Sequence, residues 1–207
     1  RKVGYRPRQK KKEQSERFLN QEFRKSRSYD DYLEYMEKHP DTTVVQMDTV
    51  KGCREQGKRL LTLHFCDTNM MLILLMHDGK ADTVVEQFDR LTSLLGLEEF
   101  RKVFPVILTD NGSEFKHTKE METTDDGKKR TKIFYCDPQA SWQKPKIEKN
   151  HEFIRYVLPK GKSLNPYTQE DMTILANNIN STRRNLLGGK SPYEVITNKS
   201  VLNLMKL

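Results

Sequence analysis

TTVVQMDTVKGCREQGKRLLTLHFCDTNMMLILLM, residues 42–76, decides the fold class. Its opening, TTVVQMDTV, alternates and is rich in β-branched side chains, which predicts a strand ending near Asp48. KGCREQGK carries Gly52 and Gly57 and reads as a hairpin connection. RLLTLHFC and NMMLILLM read as two further strands, divided by Asp67, Thr68 and Asn69. Three strands so close in sequence are most simply antiparallel neighbours. Downstream the period changes. Val84, Val85, Phe88, Leu91, Leu94 and Leu95 recur at helical spacing from Ala81 to Leu95, with Gly96 placed as the cap. FPVILTD (104–110) predicts a short buried strand, and NGSEF turns out of it with Ser113 placed to cap a helix. KIFYCD (132–137) predicts the last strand. Helices are expected from Ser141 to Val157 and from Thr168 to Asn185, the second stopped by Gly188 and Gly189. This order is that of an α/β fold, with helices covering a five-stranded sheet.

The chain has 207 residues, enough for one sizeable core with an appended arm. Its net charge of +8 is carried by residues 1–28, which hold eleven Lys or Arg and three Glu; the rest has 26 basic and 26 acidic residues. A basic arm on a neutral body suits a polyanion partner, because each phosphate contact releases condensed counterions. Residues 1–12 read as an extended linker, and Phe18, Phe23, Tyr29, Tyr32, Leu33 and Met36 mark one or two short amphipathic helices docked against the body or a partner. The longest apolar run, Met70 to Met76, is too short to cross a bilayer, so no membrane partner is expected. With no charged-then-apolar leader, a cytoplasmic setting is expected, nucleoid-associated if DNA is the partner. Cys53, Cys66 and Cys136 form no CxxC pair, which points to reduced thiols. The first residue is Arg rather than Met, as in a fragment of a longer protein.

Asp48 and Asp110 close two predicted strands, where side chains reach the crevice in which α/β active sites lie. Glu148 lies on the helix after the fifth strand. If these elements pack together, three carboxylates share a pocket and need a cation between them. Carboxylate oxygens suit Mg²⁺. Two such ions about 4 Å apart clamp a phosphodiester, one activating the attacking oxygen and one stabilising the leaving oxygen. Each residue also has an ordinary reading: Asp-Asn-Gly is a turn, Asp48 can end a strand, and Glu148 can face solvent.

The surrounding residues change the weighting. MDTV (47–50), TDNGSEF (109–115) and CDPQASWQKPKIEKNHEFIRYVLPKG (136–161) resemble, in order and spacing, the catalytic domain of bacterial DDE transposases. The nearest resemblance is to the IS-thirty family of insertion sequences, within the retroviral-integrase-like superfamily. NINSTRRNLLGGKSPYEV (178–195) echoes that family's NxRPRKxLGxxTPxE pattern, and GYRPRQKKK (4–12) its basic linker. The resemblance covers nearly the whole chain, most strongly residues 43–197. It implies an RNase H-like fold with a mixed five-stranded sheet, divided here into a basic linker with short helices (1–40), a catalytic core (41–165) and a helical extension (166–207). It assigns Asp48, Asp110 and Glu148 as catalytic metal ligands for two Mg²⁺ or Mn²⁺ ions. The implied activity is hydrolysis at transposon ends followed by strand transfer, with double-stranded DNA held by a dimer or higher multimer. Thirty-seven residues separate Asp110 from Glu148, slightly more than the family's usual spacing, and TTDDGKKRTK (123–132) would absorb the excess as a surface hairpin or loop. PKIEKN stands where the family has GTNEN, and Ser-Thr-Arg-Arg where it has Arg-Pro-Arg; neither change removes a carboxylate.

Around the site, Trp142 and Gln143 are candidate DNA contacts expected on the same helix as Glu148, with Trp142 available to stack on a base or to pack into the core. Lys144, Lys146, Lys149, Lys160 and Lys162 are candidate phosphate contacts, as are Arg183 and Arg184. Asn111 and Ser113 are expected to shape the turn, Glu114 to start a helix and His151 to be a partly exposed bystander. Glu152 lies four residues beyond Glu148 and three before Arg155, a spacing for a surface ion pair. An integrase of a retroelement, an RNase H-type nuclease and an inert DNA-binding relative share parts of this reading.

Overall fold

The computed structural model describes residues 22–53 and 57–207. The basic arm of residues 1–12 and part of the Gly52–Gly57 connection therefore lie outside the described residues. The chain runs α1 (Tyr29–Lys38), β1 (Val44–Lys51), β2 (Arg59–Phe65), β3 (Met71–Met76), α2 (Ala81–Leu95), α3 (Leu97–Val103), β4 (Val106–Thr109), α4 (Thr118–Glu122), β5 (Lys132–Tyr135), α5 (Pro145–Val157), α6 (Gln169–Ser181), α7 (Pro192–Val195) and α8 (Lys199–Leu204). The five strands form one mixed sheet in the order β3-β2-β1-β4-β5. The first three pair antiparallel, as their short connections require, and β1–β4 and β4–β5 pair parallel.

Strand alternation sends side chains to two cores. Val45, Met47, Leu61, Leu63 and Leu74 join Phe88, Phe100 and Val201 on one face. Val50, Leu60, Met71 and Ile73 join Ile147, Ile154 and Met172 of α5 and α6 on the other. On that second face the tyrosines of α1 pack against Val106, Leu108 and Phe134, so the described part of the amphipathic segment docks on the body, while Phe18 lies outside the described residues. Both sheet edges are closed by hydrogen bonds from outside the sheet, which blunts edge-to-edge pairing. Asn180 of α6 accepts from the Met71 amide and donates to its carbonyl, each at 2.9 Å, and Gln169 serves Ile73 and Leu75 likewise. Along β5, the Ile133 amide donates to Glu122 Oε1 and the Tyr135 amide to the Arg27 carbonyl.

Several boundaries differ from the sequence reading. Asp48 lies inside β1, which runs to Lys51, because β2 pairs with it throughout while β4 pairs only with Val44–Gln46. LEEFRKV forms a separate helix, α3, directly after the positive-φ Gly96; its seven residues are too few to show a period. Ser113 is the first residue of a 3-10 turn and caps nothing. The helix expected from Ser141 starts at Pro145: proline disfavours the α region for the residue before it but suits the first helical position. Trp142 and Gln143 occupy a separate 3-10 turn. The helix expected to reach Asn185 ends at Ser181. The polar insertion does form a hairpin, bridged at Thr123 and Lys129.

Candidate active site

The strand register places the first two carboxylates. Gln46 pairs with Leu108 across the parallel β1–β4 ladder, so Asp48 and Asp110 each stand two residues beyond the last pair. With a side-chain period of two, both project to the same face as Gln46, the face covered by α5. Gln46 itself anchors that helix, accepting from the Ile147 amide at 2.9 Å.

Each aspartate commits one oxygen to backbone. Asp48 Oδ1 accepts from the Thr49 amide at 2.7 Å, and Asp110 Oδ1 from the Gly112 amide at 2.9 Å. The two Oδ2 atoms converge on the Lys144 ammonium, at 3.0 Å and 3.5 Å. Lys144 is only 3% exposed, against 18% for Asp48 and 46% for Asp110. It is therefore not an outward-facing phosphate contact. Burial alone would depress its ammonium, but the flanking carboxylates outweigh this and hold its pKa above the ordinary lysine value. Burial also pushes the Asp48 carboxyl up, reinforced by Asp110 against the pull of Lys144.

Glu148 lies on the exposed side of the first turn of α5, four residues after Lys144. Among the described residues no three His, Cys, Asp or Glu side chains are grouped to hold a metal ion, so Glu148 stands apart from the aspartate pair. It opens instead into a cleft of about 600 Å³ with His151, Glu152, Arg155, Tyr156 and Lys160. Arg155 and Lys160 continue into a second cleft of about 610 Å³ lined by Lys51, Arg59 and Gly161. Glu152 pairs with Lys149 at 2.6 Å rather than with Arg155.

His151 is more than a bystander. Thr62, paired with Asp48 across β1–β2, donates its hydroxyl to the Asp48 carbonyl, so His151 Nε2 must donate to Thr62 at 2.9 Å. Burial, with Lys144 and Arg155 nearby, lowers its pKa to about 4. Glu114 is buried and accepts from Thr49 Oγ1 at 2.6 Å. A Cβ on Gly112 would fall 2.7 Å from Glu114 Oε2 and 3.1 Å from Asp110 Oδ1, so any larger residue must shift one or both carboxylates. Asn111 donates to the Cys136 carbonyl at 2.7 Å, tying the turn to the end of β5.

The other candidates divide. Trp142 is 74% exposed and not core. Gln143 closes a local bond to Asp137. Arg184 stacks on Phe153 at 4.0 Å and donates to Asn150, a structural role, while Arg183 is exposed. Lys146 reaches the Cys66 carbonyl, and Lys162 lies over the Tyr167 ring. The sequence reading missed Thr62, Lys51, Arg59 and the enclosure of Lys144. Thr62 was visible as the one polar position between Arg59 and His64 in the run RLLTLHF.

No family model matches the chain. A transposase for insertion sequence element IS4351 of Bacteroides fragilis is 26% identical over 159 residues, 77% of this chain and 45% of that protein. Transposase InsI for insertion sequence element IS30A of Escherichia coli is 37% identical over 65 residues, 31% of this chain and 17% of that protein. The chain thus spans less than half the length of either relative. In structure it matches a chain of the simian T-cell lymphotropic virus intasome in complex with PP2A regulatory subunit B56 gamma, with a TM-score of 0.53 at 13% identity, covering 75% of this chain and 54% of that one. In sequence, then, the chain is similar to bacterial insertion-sequence transposases, and in fold it is integrase-like, an RNase H-like α/β protein.

Proposed function

We propose that this chain is the catalytic core of a DNA transposase, which cuts phosphodiester bonds at transposon ends and joins the freed 3′-hydroxyls to target DNA. The observation that carries the reading is the convergence of Asp48 Oδ2 and Asp110 Oδ2 on one buried cation, here the Lys144 ammonium. Two hard oxygens aimed at one point, with their partner oxygens fixed by backbone amides, suit Mg²⁺ or Mn²⁺. Asp48, Asp110 and Glu148 would hold two such ions. Bound there, the ions supply charge neutralisation at the phosphodiester and an activated attacking oxygen.

The chain's own residues do the rest. The Thr49 and Gly112 amides keep the aspartates from rotating, and the Glu114–Thr49 bond ties the β4 turn to β1. Lys160, Arg155, Lys51 and Arg59 line adjoining clefts that lead away from Glu148, a path along which phosphates can be neutralised. The exposed Trp142 offers a stacking face before α5. Binding two ends calls for a dimer or larger assembly on DNA.

The test is a strand-transfer assay with labelled element ends. The expected result is free 3′-hydroxyl ends and joined products in Mg²⁺ or Mn²⁺, and binding without efficient cutting in Ca²⁺. Full activity in chelator would overturn the reading.

A further inference from the structure

The proposed function leaves Lys144 unexplained. A buried ammonium is unfavourable unless paired, and two carboxylates side by side on adjacent strands repel unless a cation separates them. Here each problem solves the other. Lys144 Nζ lies 3.0 Å from Asp48 Oδ2, 3.5 Å from Asp110 Oδ2 and 3.4 Å from the Met47 carbonyl. The remaining oxygen of each aspartate is already held by an amide, so the lysine takes the two atoms that a metal ion needs.

Its position on the chain matters too. Lys144 is the N-cap residue of α5, with φ −125° and ψ 48°, outside the helical region. Glu148 follows four residues later, one turn on, on the exposed side of the helix start.

We propose that Lys144 is a built-in cation that holds Asp48 and Asp110 together in the metal-free protein and is displaced when a divalent ion enters, in exchange for Glu148. The inference rests on the metal reading of this same site. A divalent ion and an ammonium repel each other and compete for the same two Oδ2 atoms. Ion binding is thus weakened by the fraction of molecules in which the lysine fills the site. The expelled ammonium emerges beside the substrate cleft, where a DNA phosphate can accept it.

Mn²⁺ titrations of the full chain, wild type and Lys144→Met, test this with acylation of lysines read by mass spectrometry. Mn²⁺ should raise the melting temperature of the wild type. In the same samples, labelling of the peptide carrying Lys144 should rise severalfold, while that of the exposed Lys160 stays level. By calorimetry Lys144→Met should bind Mn²⁺ about tenfold tighter than wild type, since the competing cation is gone. If Mn²⁺ stabilises the wild type but Lys144 labelling does not change, the exchange is wrong and the metal reading stands. Weaker Mn²⁺ binding by Lys144→Met overturns the exchange as well. If neither protein binds Mn²⁺, both readings fall. Should Lys144→Met not fold, the labelling of the wild type decides alone.

Discussion

Asp48 stands on β1 and Asp110 directly after β4, the strand paired with it, and Glu148 stands on the exposed side of a helix that packs over them. The aspartates are locked by register, each with one oxygen on a backbone amide and the other on Lys144. Glu148 is exposed and lies outside any three-residue cluster among the described residues. Two of the three carboxylates are thus prearranged by the sheet; on the proposed reading the third would be drawn in by the metal ions. A site built this way separates what stabilises the fold from what completes the chemistry.

That separation can be broken by substitution. Asp48→Asn, Asp110→Asn and Glu148→Gln should each lower cleavage by on the order of 10³-fold, the several kcal/mol that metal clamping contributes. Their melting temperatures should differ. Asp48→Asn removes a charge partner of a buried lysine and should lose roughly 1–3 kcal/mol of stability, whereas Glu148→Gln should lose none that can be measured. Glu152→Gln, which breaks only an exposed pair with Lys149, should retain most cleavage. Near-wild-type cleavage by Glu148→Gln together with loss in Glu152→Gln would place the wrong helix position at the metals.

Gly112→Ala sharpens the aspartate side of the comparison. The added Cβ must push on Glu114 and Asp110, and a misplacement near 1 Å costs about 10²-fold in rate. Cleavage at the wild-type rate would mean that the turn has slack.

Much of this was legible beforehand. The β1–β3 meander follows from alternation and short connections, and the two aspartates mark strands whose apolar runs are plain. The sequence pattern places the start of α5 four residues too early, at Ser141, because Ser141–Gln143 makes a turn that continues the polar pattern, and only Pro145 marks the true start. The enclosure of Lys144 was not legible, because nothing local distinguishes it from Lys146 or Lys149. Its burial comes from the packing of α5 across β1, anchored by Gln46, a contact over about a hundred residues of chain.

A smaller effect separates the core from the cleft by pH. His64 is fully buried in β2, and burial, reinforced by Lys146, Arg184 and His151, lowers its pKa to about 3. The unfolded chain therefore binds a proton that the folded chain refuses. Stability from this source is complete above about pH 6.5 and declines toward pH 3, with a slope approaching 1.4 kcal/mol per pH unit. Denaturant melts of His64→Leu should show a shallower acid slope, and an unchanged slope would remove His64 from the account. Smallest of all, Arg155→Ala with Lys160→Ala should leave the fold intact and reduce the salt dependence of DNA binding by about two contacts. The same slope as wild type would mean that DNA does not follow these clefts.

The most direct measurement is anomalous diffraction from crystals of the chain soaked in Mn²⁺. The account predicts a peak bounded by Asp48 Oδ2 and Asp110 Oδ2, with Lys144 withdrawn and the Glu148 carboxylate turned inward. Lys144 still seated between the aspartates at saturating Mn²⁺, with no peak there, would contradict it.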